Sequence, residues 1–352
     1  MEFPTINPAL EAEWINPLAD AEWDGLVRSH PEAGFFHSSA WAKVLNKTYG
    51  HIPAYLRVTR GGQLLALVPV MEVRSPWTGR RGVCLPFTDV CEPLLFTDDS
   101  LQIVCDQLRD LARERKWKYF EIRGGAPEIG GKPSVAFYSH TLDLRGGADR
   151  VSAGFDSAVR RAVRKAERSG LNVEIARNRD AVLEFYRMHT QTRSRHGAPP
   201  QPLSFFLNIY DEIIKPGSGF VVLAYHGARV AAGAVFFQFA NKAIYKFGAS
   251  EESLQELRGN NLVMAEGIRH LAENHAEVLH FGRTSLFNEG LRRFKKSWGA
   301  EEGRIEYFKF ALAAGKWMAG RDNASGFHTT LFSRMPAAIN RLAGSLIYPH
   351  LD

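Results

Sequence analysis

The chain is poor in cysteine: three thiols, Cys84, Cys91 and Cys105, stand in 352 residues. Their number is odd and their spacing is neither C-x-x-C nor that of a zinc site. A disulfide scaffold is thereby excluded, and the three read as buried thiols of a reduced compartment. The twelve histidines form no H-x-x-x-H pair beside an acid, which argues against a metal site. There is no G-x-S-x-G and no Cys-His set, so nothing points to covalent catalysis. The opening MEFPTINPAL has neither a basic n-region nor an apolar h-region, and no signal peptide is expected. The longest uncharged, mostly apolar run, Val230–Ala240, would be about 16 Å long as a helix, too short to span a bilayer. These absences predict a cytoplasmic protein.

What is present is an ordinary globular composition, 45% hydrophobic and 23% charged, with 23 Phe and seven Trp to build a core. Disorder and collagen are excluded. The length predicts two domains or one large one. The 44 Lys+Arg against 38 Asp+Glu leave a net charge of +6, which permits an anionic partner without requiring one. The excess is uneven, with clusters at Arg160–Arg168 and Arg292–Lys296.

The two halves repeat a pattern. LRVTRGGQLLALVPV and VLAYHGARVAAGAVF both read as strand, glycine turn, longer strand. The strands are Ala54–Arg60 with Gln63–Arg74, and Phe220–Tyr225 with Arg229–Phe239; Gly at each turn supplies the positive φ a tight hairpin needs. A third strand follows in each half (Gly82–Thr88; Ala243–Ser250), then an amphipathic helix (Leu101–Lys116; Leu262–His275), then a short strand (Tyr119–Ile122; Val278–Phe281). Leu101, Val104, Cys105, Leu108, Leu111 and Ala112 fall on one helical face. Repeated β-β-β-α-β order predicts a duplicated α+β unit. Gly124–Pro133 reads as a loop, Ser152–Ser169 as a strongly basic helix stopped by Gly170, and Asp180–His196 and Leu203–Ile214 as two more helices. The predicted units are 1–146, 147–312 and a C-terminal tail, 313–352, whose last amphipathic segment is Leu331–Ile347.

This order is similar to that of GNAT-type acyltransferases, which implies two tandem GNAT-like domains with mixed central sheets flanked by helices. In acyl-CoA enzymes of that type a Gly-rich loop at a helix N-terminus holds the pyrophosphate. The matching loop here, Glu256-Leu-Arg-Gly-Asn-Asn261, has a single Gly. Its alternative reading is a plain N-cap by Asn260 or Asn261.

Five strings carry a closer resemblance: Phe36-His-Ser-Ser-Ala-Trp41-Ala-Lys43; the basic stretch Val159–Val173; Arg195-His196-Gly197 with Phe205-Phe206; Ala243-Ile-Tyr-Lys-Phe-Gly-Ala-Ser250; and Leu279-His-Phe-Gly-Arg-Thr284 followed by Gly290-Leu-Arg-Arg-Phe-Lys295-Lys-Ser-Trp-Gly299. Over about Phe35 to Phe310 the chain resembles the Fem-type (FemAB) aminoacyltransferases. The F-K-x-x-[FW]-G ending is the most specific element. The resemblance implies transfer of an activated amino acid to a nucleotide- or lipid-linked muropeptide acceptor. Matched residue by residue, it places acceptor binding at Lys43, with Trp41 beside it, and at Arg195 and Tyr245, and the donor end at Phe294-Lys295. Two features depart from the family. No heptad run supports a coiled-coil arm, and His280 stands where related strands place an Asp.

Each of these residues also has a structural reading. Trp41 and Tyr245 can be core. Arg195 can offset a helix dipole. The stripe Arg160, Arg161, Arg164, Lys165, Arg168 can be a solvated face or a contact for RNA or an anionic surface. Asp89 can be a turn residue or a base for an acceptor amine, and Arg283 can line a cleft or pair with an acid.

The resulting expectation is an enzyme, an N-acyl- or aminoacyltransferase acting on an amine of a peptidoglycan precursor or exopolysaccharide in cell-wall biogenesis. No bound cofactor or metal is expected; the donor is aminoacyl-tRNA or acyl-CoA. The chemistry would rest on positioning and electrostatic stabilisation by Lys295, Phe294 and Asp89. Replacing Lys295 by Met is expected to lower transfer at least tenfold, about 1.4 kcal/mol, with folding intact. The alternatives are an acyl-CoA-dependent N-acetyltransferase of polysaccharide synthesis and a non-catalytic adaptor, peripheral at the inner membrane, docked on anionic lipid through Leu331–Ile347.

Overall fold

A computed structural model describes residues 9–98, 100–125, 131–320, 332 and 335–352. Most of the MEFPTINPAL opening, the centre of the Gly/Pro loop and residues 321–331 lie outside the described residues. The first half runs β1 (Leu10–Ile15), α1 (Trp23–Arg28), α2 (Ser39–Tyr49), β2 (Ile52–Pro53), β3 (Tyr55–Arg60), β4 (Gln63–Val68), β5 (Met71–Ser75), β6 (Gly79–Cys84), β7 (Leu94–Leu95), α3 (Ser100–Glu114), β8 (Tyr119–Arg123) and β9 (Val135–Asp143). The second runs α4 (Gly147–Ala153), α5 (Ser157–Arg168), β10 (Leu171–Ala176), α6 (Arg179–Arg195), α7 (Leu203–Ile209), β11 (Gly219–His226), β12 (Arg229–Phe239), β13 (Lys242–Ser250), α8 (Gly259–Glu273), β14 (Val278–His280), β15 (Thr284–Ser285), α9 (Glu289–Lys296) and β16 (Glu301–Ala311). Beyond it come β17 (Lys316–Met318) and α10 (Ala337–Ile347).

One mixed sheet crosses both halves in the order β10-β11-β12-β13-β14-β9-β16-β8-β6-β5-β2. The pairs β6·β8 and β13·β14 are parallel; their neighbours are antiparallel. β16, which follows the second half in sequence, inserts between β9 and β8. A smaller sheet, β1-β3-β4-β7, stands beside it.

Several boundaries differ from those the sequence predicts. The stretch Gln63–Arg74 is two strands, because Pro69 interrupts it after Val68: β4 stays in the small sheet and β5 joins the large one. Proline lacks the N–H that a continuous ladder would use. The third strand starts at Gly79 and ends at Cys84. The basic helix is broken at Gly154-Phe155-Asp156 into α4 and α5. There Phe155 packs edge-on to Trp298 at 4.9 Å, and the Arg160 guanidinium donates to the carbonyls of Ala153 and Phe155. Leu203–Ile214 is α7 followed by one wider, π-type turn.

Helices cover the second half's sheet on both faces. On one face α2 of the first half joins α6 and α7, so that Phe35, Phe36 and Trp41 share a core with Phe205 and Phe237. Burying a side chain of this size contributes roughly 1.5–3 kcal/mol, so the contact between halves is core rather than a loose seam. On the other face α4, α5 and α8 enclose a second core around Phe236, Leu279 and Trp298. α3 presents its predicted face, Leu101 to Ala112, to a third core around Phe120 and Phe310.

Candidate active site

β13 and β14 pair over three residues only, from Lys242↔Val278 to Ile244↔His280, and then part. Just beyond that point β13 carries one extra residue. Val235 faces Phe247 and Phe236 faces Tyr245, which leaves Lys246 without an opposite partner in β12. Such a bulge re-aims a side chain. Lys246 turns toward α2, with its Nζ 4.9 Å from the Phe36 ring and 5.6 Å from that of Trp41. It donates to the Phe87 carbonyl (2.8 Å) and to Asp89 Oδ2 (2.9 Å). Burial lowers the Lys246 ammonium and the Asp89 charge opposes that effect. Burial alone would raise the Asp89 carboxyl, but Lys246 and Arg283 hold it well below the usual carboxylate range.

The turn Gly282-Arg283 is gripped at every backbone polar atom. The Gly282 N–H donates to His280 Nδ1 (2.9 Å), and the Arg283 N–H donates to Asp89 Oδ1 (3.1 Å). Lys295 Nζ donates to both carbonyls, at 2.8 and 3.1 Å. Gly282 has φ +73°, and a Cβ there would come within 3.0 Å of Asp89 Oδ1. The Arg283 guanidinium lies 4.6 Å from the Phe137 ring and donates to the Tyr307 hydroxyl, which donates in turn to the Asp89 carbonyl (2.7 Å). Lys295 is buried, and desolvation pulls its amine down to about 8. Burial likewise brings His280 down to about 4, so it is neutral at pH 7. Its Nδ1 accepts a hydrogen bond, so Nε2 carries the proton and is a donor.

Beside this turn lies a cleft of about 810 Å³ whose walls include Phe36, His37, Glu92, Thr141, Lys242 and His280. Glu92 is its chemically distinctive group. Its carboxylate accepts the Gly125 N–H, but burial, and then the Glu32 charge, raise its pKa. Its carbonyl accepts from His37 Nε2 at 2.9 Å, and His37 Nδ1 accepts the Gly34 N–H at 3.0 Å. A carboxyl fixed in a cleft with a raised pKa is a stronger base than a free glutamate and can take up a proton from a bound group.

A second pocket, about 450 Å³, lies on the opposite face of the sheet, where α5 meets the start of α8. Arg161, Lys165, Arg258, Asn261 and Ser297 line it. The N-cap of α8 is Arg258, at φ 62°, and not Asn260 or Asn261, both of which lie within the helix.

The expected site residues divide into groups. Asp89, Arg283 and Lys295 come together around one turn. Trp41 is core, its Nε1 donating to the Pro86 carbonyl, yet it also walls Lys246. Asp89 is corrected as a candidate base: its carboxylate is committed to Lys246 and the Arg283 N–H and is a poor proton acceptor. Tyr245 packs between Phe236 and Phe281 on the α8 side, facing away from the 810 Å³ cleft, and burial raises its hydroxyl to about 12. Phe294 packs against Trp298 at 6.0 Å. Arg195 closes the end of β13, donating to the Ser250 carbonyl (2.8 Å) and to Thr192 Oγ1 (3.2 Å). Lys43 is half-buried on α2; neither it nor Arg195 touches the turn. Sequence reasoning missed Lys246 and Glu92. A lone lysine in the apolar strand AIYKFGAS was the available signal for the first; Glu92 gave none.

Nothing in this arrangement supplies a sulfur nucleophile. All three cysteines are buried, and burial raises Cys105, for one, to about 11. Among the described residues no group of His, Cys, Asp or Glu is arranged to hold a metal ion. No described helix is long and apolar enough to cross a membrane.

Comparison with known proteins identifies the fold. The family model for an Acetyltransferase (GNAT) domain matches residues 154–296. The structure of FemX aligns with a TM-score of 0.67 at 16% identity, covering 84% of this chain and 96% of that one. A tandem GNAT protein of the clavulanic acid biosynthesis pathway, solved without AcCoA, aligns at 0.52 and 12% identity, covering 86% and 99%. The C-terminal domain of a putative lysylphosphatidylglycerol synthetase from Agrobacterium fabrum aligns at 0.53 and 14% identity, covering 83% and 91%. No curated protein matches the sequence. The chain therefore has a GNAT-superfamily acyltransferase fold, α+β with a mixed central sheet flanked by helices, and a modest structural resemblance to FemX.

Proposed function

We propose that the protein is an N-acyl- or aminoacyltransferase built from two tandem GNAT-like units, 1–146 and 147–312, and that it acylates an amine of a nucleotide- or lipid-linked cell-envelope precursor in the cytoplasm. One observation carries the reading. A basic pocket at the start of α8 and a carboxyl-bearing cleft over the paired ends of β13 and β14 lie on opposite faces of the sheet, and the two strands part just beyond Ile244 and His280. In this reading a donor whose phosphates rest on Arg161, Lys165 and Arg258 reaches past the point where β13 and β14 part, to an amine in the cleft.

Glu92 then takes the proton from the attacking ammonium, which must be neutral to attack. The nitrogen adds to the donor carbonyl, and the oxyanion formed is stabilised by the His280 Nε2–H and the field of the Lys295 ammonium. Collapse expels the thiolate or the ribose oxygen, which takes up the proton that the new amide nitrogen gives up, and Glu92 returns its own proton to solvent. No protein-acyl intermediate is needed, because the two substrates meet directly. Lys43 and Arg195 remain the proposed contacts for acceptor phosphate, since Arg can make bidentate contacts with it.

Acyl-CoA is the second donor reading, and the basic pocket at the start of α8 favours a phosphate-bearing donor of either kind. Calorimetric titration with acetyl-CoA separates the two. Micromolar affinity, abolished by Arg161→Glu with Lys165→Glu, assigns an acyl-CoA donor. Absence of heat at millimolar ligand, together with transfer from charged tRNA to a muropeptide amine, assigns aminoacyl-tRNA. Failure of both donors to bind or react would overturn the proposal.

A further inference from the structure

The last helix, α10, is packed inside out. α10 turns Asn340, Gly344 and, just past its end, Tyr348 inward, at i, i+4 and i+8. Three of its large apolar residues face solvent: Ile339 is 54% exposed, Leu342 59% and Leu346 58%. These three recur at i, i+3 and i+7, one continuous stripe. A helix free to roll in water would bury that stripe and expose the asparagine. Here the roll is fixed from both sides. A Cβ at Gly344 would lie 2.0 Å from the Pro200 carbonyl oxygen, so the helix sits hard against that turn. Tyr348 lies against the rings of Tyr49 and Phe87, and its hydroxyl accepts from Arg193 (3.1 Å) and donates to the Pro199 carbonyl (3.2 Å). The chain then crosses to the first half, where the buried Arg81 donates to the His350 carbonyl (2.7 Å) and to Asp352 Oδ2 (2.6 Å). The inward face is not optimised in exchange, since both amide atoms of Asn340 are buried without a hydrogen-bond partner among the described residues.

The same clamp brings a second apolar group alongside. Trp77, at the β5–β6 turn, is 68% exposed, with its ring 4.2 Å from that of His350, and the next residue, Leu351, is 41% exposed. The exposed cations Arg341, on α10, and Arg80 and Lys118, near the Trp77 turn, flank these groups. Isolated exposed leucines are ordinary on protein surfaces. A rigidly held stripe of large aliphatics with an exposed tryptophan and flanking cations is not. Tryptophan favours the membrane–water boundary, and juxtamembrane arginine and lysine are drawn to anionic headgroups.

We propose that Ile339, Leu342, Leu346, Leu351 and Trp77 form a patch that docks the folded protein on an anionic lipid surface, with Arg341, Arg80 and Lys118 on phosphate headgroups. The helix lies in the interface and does not span it. The patch is independent of the transfer chemistry, so the two proposals can fail separately.

The test uses the full chain and vesicles of phosphatidylglycerol with phosphatidylcholine, against phosphatidylcholine alone. Sedimentation should show salt-sensitive binding to the anionic vesicles. Leu342→Ser with Leu346→Ser should reduce it at least tenfold while leaving the melting temperature unchanged, because both side chains already face water. Brominated lipid should quench tryptophan fluorescence in the parent protein, and Trp77→Phe should remove that quenching. Equal binding by parent and double variant, or none by either, overturns the proposal. So does a dimer in ultracentrifugation that the double variant dissolves while the parent ignores vesicles, since the stripe would then face a second copy of this chain.

Discussion

Asp89 and Lys246, 157 residues apart in sequence, meet at 2.9 Å between the two halves, and each is the other's nearest counter-charge. The ammonium sits among the rings of Phe36, Trp41 and Phe247. Removing one partner from such a pair leaves the other uncompensated, which costs roughly 3–5 kcal/mol, whereas removing both can cost much less. Asp89→Asn should therefore lower unfolding free energy by about that amount, and Asp89→Asn with Lys246→Met should recover part of it. Urea denaturation of the four proteins in the cycle gives the answer. A single variant that costs under about 1 kcal/mol would mean that the pair is solvated.

Gly282 tolerates no side chain. Its φ of +73° and the 3.0 Å approach of Asp89 predict that Gly282→Ala strains the turn by about 1–2 kcal/mol and displaces the Asp89 carboxylate. The variant should melt earlier and lose transfer activity. Wild-type melting in Gly282→Ala would show that the turn adapts freely.

Lys295 links activity and stability in opposite directions. Its amine titrates at about 8 in the folded protein against 10.5 for an ordinary lysine. Between those values the unfolded chain binds more protons, so this group makes the protein more stable as pH rises from about 8 toward 10.5. The ammonium needed at the oxyanion is lost over the same range, and transfer should fall above about pH 8. Lys295→Met should abolish the basic limb of the rate profile. The expectation that it would leave folding intact needs correcting, because Lys295 pins the Gly282 and Arg283 carbonyls. Its melting temperature should drop, and its deficit relative to wild type should widen with pH. A basic limb that persists in Lys295→Met would assign it to another group.

Glu92 sets the acid side. Its carboxyl is raised by burial and by Glu32, so the base form is lost at a higher pH than for a free glutamate. Transfer should fall as pH drops through that raised value. Glu92→Gln should lower the rate at least tenfold and flatten the acid limb, with circular dichroism unchanged. An acid limb that survives the substitution would exclude Glu92 as the proton acceptor.

The basic pocket predicts salt dependence. Arg161→Glu with Lys165→Glu should weaken donor binding and reduce its sensitivity to salt, since fewer phosphate contacts release fewer counterions. Binding isotherms at two salt concentrations measure this, and an unchanged slope would place the donor elsewhere.

Local features of the fold were legible. The glycine turns at Gly61-Gly62 and Gly227, the α3 periodicity and the β-β-β-α-β run of the second half all appear in the sequence because each depends on neighbouring residues; the first half departs from that run, with five strands, β3 to β7, before α3. Ile244 and Lys246 lie on one face of β13 and Tyr245 on the other, as the two-residue period of a strand dictates. The split at Pro69 was obscured because the apolar run continues on both sides of it. The insertion of β16 beside β8 was not legible, since pairing between Tyr307 and Arg123 leaves no local trace. The site follows the same division. Asp89, Arg283 and Lys295 were found as members of strings, but their roles depend on partners far along the chain, and Glu92 acquires its raised carboxyl from burial in the cleft and from the Glu32 charge.

The continuous sheet constrains how substrates can enter. Many two-unit proteins close around a ligand by bending at a connecting segment. Here β14, β9, β16 and β8 form an unbroken ladder from one half to the other, and bending there would break hydrogen bonds in several strands at once. The strands that floor the cleft are consequently held at a fixed spacing when the chain folds. Substrate selection then falls to the width of that opening and to the side chains that line it, rather than to a hinge between the halves.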